Sequence, residues 1–174
     1  MSVFETERLV MRPWREDDAE NLYKYASDPA VGPAAGWPVH TSVEDSLRVL
    51  REVLIEENTW AVTIKASDEP VGSIGVFRTD APNGNGAPEI GYWIGKPFWG
   101  CGYIPEAVRA LIDRCFNDGA ESVWCSHFAG NDKSRRVIEK CGFRYVMTKP
   151  WQPTPEDTRD ALYYKITRKE WEHD

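Results

Sequence analysis

The chain has 174 residues, a formal net charge of −7, and 41% hydrophobic and 12% aromatic side chains. That length supports one domain with a sizeable core, and the acidic balance argues against a nucleic-acid partner, whose phosphates need a basic face. Nowhere do about 18 apolar residues run together as a membrane span requires, and Glu5, Glu7 and Arg8 replace the apolar run of a leader, so a soluble, cytoplasmic protein is expected.

In chain order, the pattern predicts a strand over about Glu5 to Trp14 and a helix over Asp17 to Ala26 that stops before Pro29. Val31 to Pro38 is rich in Gly and Pro and is read as a loop. Thr41-Ser42-Val43-Glu44 has capping-box form and opens a helix whose Val43, Leu47, Leu50 and Leu54 keep helical spacing. Trp60 to Ile64 and Val71 to Phe77 are β-rich, and the turn signal Asn83-Gly84-Asn85-Gly86 leads to a strand at Glu89 to Ile94. A helix with Val108, Leu111, Ile112, Cys115 and Phe116 on one face ends at Asn117-Asp118-Gly119. Ser122 to Phe128 reads as a strand, Asn131 caps a helix that stops at Gly142, and strands near Phe143 to Thr148 and Ala161 to Ile166 precede a short turn capped by Thr167. Cys101, Cys115, Cys125 and Cys141 form no Cys-x-x-Cys pair and have no His cluster beside them. Reduced thiols and no metal are therefore expected, with Cys115 and Cys141 in the core.

The most informative stretch joins the strand Glu89-Ile90-Gly91-Tyr92-Trp93-Ile94 through Gly95 to Gly102 into the helix that ends near Phe116. Gly100 and Gly102 flank Cys101, which permits positive φ and close approach of a ligand to the backbone. The N–H groups and positive dipole end of the following helix suit a pyrophosphate. Gly95 and Gly100 have P-loop spacing, yet Cys101 and Gly102 stand where Lys and Ser/Thr would hold phosphate and Mg²⁺. A dinucleotide fingerprint fails as well, because its third glycine falls at Pro105. Taken alone, Gly100-Cys101-Gly102 is a tight turn before a helix; the later segment Asn131-Asp132-Lys133-Ser134-Arg135-Arg136 through Phe143 raises its significance.

Together these segments resemble the acetyl-CoA site of the GNAT superfamily of N-acetyltransferases. The similarity extends to the RimJ/RimL-like branch through Thr6-Glu7-Arg8-Leu9, Arg12-Pro13-Trp14 and Arg136-Val137-Ile138-Glu139-Lys140-Cys141-Gly142-Phe143. The resemblance implies a single α/β domain over 1–174, with a mixed, mostly antiparallel sheet of about seven strands flanked by helices on both sides. It also implies that Tyr92, Trp93 and Ile94 bind the pantetheine arm like an added strand from a bulged segment. Trp99, Gly100, Cys101, Gly102, Tyr103 and Ile104 would hold the pyrophosphate, and Asn131 and Ser134 the arm near the thioester sulfur. Helix capping is the competing role for both of these last two. Pro97 and Cys101 depart from the family pattern at positions that are often polar or basic, so cationic help must come from elsewhere, such as Lys133 or Arg135.

Acetyl transfer to an amine needs a proton acceptor for the ammonium and a proton or stabilisation for the departing thiolate. By resemblance Glu89 is the base, against the alternative of an exposed strand-end carboxylate. Many family members use a tyrosine for the thiolate where this chain has Ile138, which leaves Ser134 for that role. His127, near Asn131, is an alternative base or acceptor contact, and a structural histidine is the competing reading. Trp14, Trp60, Trp93 and Trp124 are read as strand residues packing the core. Trp37, in Ala34-Ala35-Gly36-Trp37-Pro38, is read as stacking on the acceptor or covering a core edge. The expected activity is direct acetyl transfer from acetyl-CoA to a primary amine, foremost a protein or peptide N-terminus, by a monomer or homodimer. Two alternatives stand beside it: acetylation of a small amine such as a polyamine or aminoglycoside, and a non-catalytic acyl-CoA-binding module.

Overall fold

A computed structural model describes residues 2–56 and 58–173. Among the described residues, eight strands are hydrogen-bonded in the order β1-β2-β3-β4-β5-β6-β8-β7. They are β1 (Phe4–Glu5), β2 (Leu9–Pro13), β3 (Thr59–Ile64), β4 (Pro70–Arg78), β5 (Pro88–Ile94), β6 (Ser122–Phe128), β7 (Arg144–Thr154) and β8 (Asp157–Thr167). The helices are α1 (Ala19–Ala26), α2 (Gly32–Ala35), α3 (Val43–Val49), α4 (Tyr103–Asn117), α5 (Asp132–Lys140) and α6 (Arg168–Glu172). The β5–β6 pair is parallel, while β1–β2, β2–β3, β3–β4, β6–β8 and β7–β8 are antiparallel. The mixed, mostly antiparallel α/β architecture expected from the sequence is present. The expected first strand is interrupted after Glu5 and resumes at Leu9, which brings the expected seven to eight.

The chain forms two compact units: the first runs through Gly75 and includes Tyr92–Ala107, and the second comprises Val76–Gly91 and the chain from Val108 onward. In the first unit, Trp14, Ala19, Leu22, Ala26, Leu50 and Ala61 form a buried cluster, with Trp37 and Trp93 packed against it. Arg12, only 4% exposed, is bound within this unit by Asp18 at 2.9 and 2.8 Å and by Asp68 at 2.8 Å. Its remaining contacts are the carbonyls of Pro13 and Asp68. In the second unit, Ala81, Trp124, Ala161 and Tyr163 form a separate cluster.

Several local expectations differ in detail. The stretch read as a loop over Val31 to Pro38 contains a helical turn, Gly32–Ala35, with a proline early in it and Gly36 at φ 94° closing it. Ser42 caps α3 by accepting from the Asp45 N–H at 3.0 Å, and α3 runs into a wider π turn over Leu50–Leu54 in which the Ile55 N–H reaches the Leu50 carbonyl at 2.8 Å. The last two strands are longer than the apolar pattern suggested, because β7 is an edge strand and tolerates Pro150. Trp14 lies just beyond β2 but is buried, as are Trp60 and Trp124, while Trp93 is half-buried. Cys115, Cys125 and Cys141 are buried thiols and Cys101 is exposed.

Candidate active site

In the first unit, β5 ends in Tyr92-Trp93-Ile94 and leads through a 3₁₀ turn at Lys96–Phe98 to the start of α4. Gly100 and Gly102 adopt φ of 75° and 79°, the left-handed conformation that glycine takes without a Cβ penalty. A Cβ at Gly100 would meet nothing within 4 Å, so this turn lies open to an approaching group. The Trp99 indole donates to the Ile94 carbonyl at 3.0 Å and folds the loop back on the strand. Tyr103 and Ile104 begin α4, and Ile104 anchors it in the core. An open glycine turn that feeds a fifteen-residue helix fits a diphosphate bound by main-chain N–H groups.

The loop also has a cationic side chain that sequence reasoning did not assign to it. Arg8 donates through Nη1 to the Cys101 carbonyl at 2.9 Å and through Nε to Glu106 at 2.7 Å, and its guanidinium lies 4.5 Å from the centre of the Tyr103 ring. Glu106, in the first turn of α4, also accepts from the Arg8 N–H at 2.8 Å and from the Thr6 hydroxyl. Burial alone would raise the Glu106 carboxyl, but the bonds from Thr6 and Arg8 prevail and lower it. Of the two cations suggested by sequence, Arg135 is paired with Glu139 at 2.9 Å and Lys133 is exposed on α5. The Thr6 to Leu9 segment was the available signal; its contact with Glu106 depends on a pairing 98 residues apart.

In the second unit, Glu89 is a buried carboxylate, 2% exposed, which departs from the alternative of an exposed strand end. Its Oε1 accepts from the Ser126 hydroxyl at 2.7 Å, and its Oε2 has no hydrogen-bond partner among the described residues. Ser126 reaches it because β5 and β6 run parallel with Glu89 opposite Trp124, so Ser126 lies two residues further on the same face of β6. Burial raises the Glu89 carboxyl above its ordinary range; the Thr79 and Ser126 hydroxyls oppose that rise, and the Asp80 charge adds to it. Asp80 is held by Lys149 at 2.9 Å and by the Tyr163 hydroxyl at 2.9 Å. A carboxylate with a raised pKa is a stronger base than an exposed glutamate, which suits Glu89 to proton transfer.

The remaining candidates of this unit divide in two. The Asn131 side chain accepts from the Ser134 N–H at 3.2 Å and caps α5, with Ser134 in the first helical turn and Ile138 buried. His127 has both ring nitrogens engaged: Nδ1 faces the Phe128 carbonyl at 2.8 Å and Nε2 the Tyr164 hydroxyl at 3.1 Å. The carbonyl requires a proton on Nδ1, so Nε2 accepts from Tyr164 and no lone pair remains. Trp37, in the first unit, meets the Trp93 ring edge-to-face at 5.5 Å. Among the described residues no His, Cys, Asp and Glu group could hold a metal, and no helix is long and apolar enough to cross a membrane.

Comparison with known proteins adds to this geometry. Residues 8–144 match the family described as acetyltransferase (GNAT) domain. The chain is 35% identical over 121 residues, 67% of each protein, to an uncharacterized N-acetyltransferase, p20, of Bacillus licheniformis. It is 29% identical over 109 residues, 60% of this chain and 52% of the relative, to a ribosomal-protein-serine acetyltransferase of Escherichia coli strain K12. The crystal structure of an acetyltransferase (GNAT family) from Bacillus anthracis superposes with a TM-score of 0.80 at 24% identity, covering 97% of this chain and 99% of that one. At that identity the likeness is one of fold.

Proposed function

Because the chain belongs to the GNAT family of acetyltransferases, we propose that residues 1–174 form one N-acetyltransferase domain that moves an acetyl group from acetyl-CoA directly to a primary amine, foremost a protein or peptide N-terminus. The observation that carries the reading is Glu89, a buried carboxylate with one oxygen bonded to Ser126 and the other without a partner among the described residues. A merely structural buried carboxylate would be expected to satisfy both oxygens. The N-terminal acceptor is supported by the RimJ/RimL-like segments and by the name of the Escherichia coli relative.

GNAT acetyltransferases use acetyl-CoA, which supplies the activated acetyl group as a thioester. In the proposed site, main-chain N–H groups of Trp99 to Ile104 hold the diphosphate, with Arg8 fixing the loop through the Cys101 carbonyl. Backbone groups of Tyr92, Trp93 and Ile94 align the pantetheine arm, and Asn131 and Ser134 hold its thioester end. Glu89 takes a proton from the acceptor ammonium. The freed nitrogen lone pair bonds to the acetyl carbon, the nitrogen gives its second proton to solvent as the amide forms, the carbon–sulfur bond breaks, and its electron pair leaves on sulfur. Ser134 donates a proton to that sulfur and recovers one from solvent. Direct transfer places no covalent adduct on the enzyme.

Thiol release from acetyl-CoA, followed against N-terminal peptides, polyamines and aminoglycosides, tests the reading. Turnover with peptides above the other amines is expected. Preference for a polyamine or aminoglycoside would replace the acceptor, and acetyl-CoA binding without turnover over the whole panel would leave a binding module.

A further inference from the structure

The first unit contains a cavity of about 290 Å³ lined by Leu22, Trp37, His40, Leu54 and Trp93 among others. We propose that it receives the side group of the acceptor, and that this group is an aromatic ring with a hydrogen-bonding edge read by His40. The proposal rests on the acetyl-transfer reading and names the class of amine that reading leaves open.

The walls favour a flat apolar body. Trp37 and Trp93 meet edge-to-face, and Trp93 in turn stacks on Trp14 at 6.3 Å, so one aromatic wall is fixed from behind. Trp37 is fixed as well: its main-chain N–H donates to the Gly32 carbonyl at 3.1 Å, and a Cβ on Gly32 would fall 2.5 Å from its ring. The lining also includes Leu54, from the π turn that follows α3. A volume near 290 Å³ lies at the small end of ligand pockets and suits one side group more than an extended molecule. Trp93 belongs to the β5 segment assigned above to the pantetheine arm, so within the first unit the cavity shares a wall residue with that proposed cofactor segment.

The polar group is specific. His40 is 7% exposed, its Nδ1 is paired with the Ser46 hydroxyl at 2.8 Å, and its Nε2 makes no hydrogen bond among the described residues. Its ring packs at 5.2 Å against Trp37. Burial lowers the His40 pKa, so the ring is neutral at neutral pH. Either tautomer leaves Nε2 one hydrogen bond to give or to accept, which matches a phenol or indole edge. A polyamine would need spare carboxylates, and the one in the lining is committed: Asp45 is bound to Arg48 at 2.8 Å and to the Thr41 N–H at 3.0 Å.

The test measures kcat/KM with peptides that differ only in a first residue of Tyr, Phe, Leu or Ala, with tyramine, 2-phenylethylamine and spermidine as free amines. The aromatic acceptors are expected to exceed their Ala counterpart and spermidine by about tenfold or more. Tyr should exceed Phe by about three- to tenfold, the range of one hydrogen bond. That Tyr-to-Phe ratio should collapse to one in His40→Phe and survive in His40→Gln, whose amide reaches the same edge; Trp37→Leu should flatten the aromatic preference without needing His40 changed. A preference seen in peptides, free amines or both supports the pocket and identifies the carrier of the ring. Equal rates for Ala and aromatic acceptors, a preference for spermidine, or an unchanged Tyr-to-Phe ratio in folded His40→Phe overturns the pocket while acetyl transfer stands. Turnover of no amine at all overturns both.

Discussion

Arg12 and Glu89 are both charged groups taken out of water, and they are treated in opposite ways. Arg12 in the first unit has bonds to Asp18, to Asp68 and to two carbonyls, so its burial is compensated throughout. Glu89 in the second unit accepts from Ser126 and is eased by the Thr79 hydroxyl, yet among the described residues its Oε2 makes no hydrogen bond. The first pattern is that of a group holding a fold together. The second costs stability and is retained where the free oxygen has a use.

The largest effect expected from this contrast is on catalysis. Glu89→Gln keeps the shape but cannot take a proton, so kcat/KM should fall by roughly 10²–10⁴ at neutral pH. Acetyl-CoA affinity measured by calorimetry should barely change, and the melting temperature should hold or rise. A joint fall in activity, cofactor affinity and stability would make Glu89 a second Arg12. The converse change, Arg12→Leu, should cost about 3–5 kcal/mol of unfolding free energy by denaturant titration, because it leaves the buried Asp18 without its cation. A cost below about 1 kcal/mol would place that pair among weak surface bridges.

Smaller effects sharpen the contrast within the cofactor segments. At Gly102→Asp a side chain must adopt φ near 79° beside Arg8, 3.3 Å from the Cβ position, and its carboxylate both repels a diphosphate and competes for that guanidinium. A loss of affinity for acetyl-CoA by about tenfold or more is expected, and an unchanged value in a folded variant removes the loop from the site. Asn131→Ala should cost about 1 kcal/mol of stability through the lost cap. Ser134→Ala should instead lower kcat with little change in melting; full kcat with both a poor and a good amine would end its role as proton donor.

What was legible in the sequence was chiefly local. Two glycines around Cys101 signalled positive φ, and Asn131 three residues before Ser134 signalled a cap, because each depends on its own neighbourhood. Ser126 beside Glu89 was not legible, since it requires the parallel register that sets Glu89 against Trp124. Arg8 went unassigned for the same reason: its partners Cys101 and Glu106 are distant in the chain. His40 carried no local signal beyond one histidine before a cap, and only the packing of Trp37 and Ser46 around it gives it meaning. His127 illustrates the reverse, a residue near the right segment whose hydrogen bonds to Phe128 and Tyr164 use both nitrogens.

A Glu89 kept buried to accept the proton of the acceptor ammonium must leave its mark on the pH dependence of kcat/KM. Burial raises its carboxyl above the ordinary range, so the ionised base forms at a higher pH than an exposed glutamate would require. Wild-type activity should rise with pH through that shifted value and then level off while the ammonium remains the reacting form. Glu89→Gln must use the small fraction of free amine, so its activity should keep rising through neutral pH toward the acceptor's own pKa. Stability should move in step: the contribution of Glu89 is largest below its unfolded pKa and is lost as pH rises through the folded one, so the variant's advantage in melting temperature should widen toward neutral pH. Profiles of different shape, a plateau against a continuing rise, are the result predicted. Profiles of the same shape that differ only in height would contradict it.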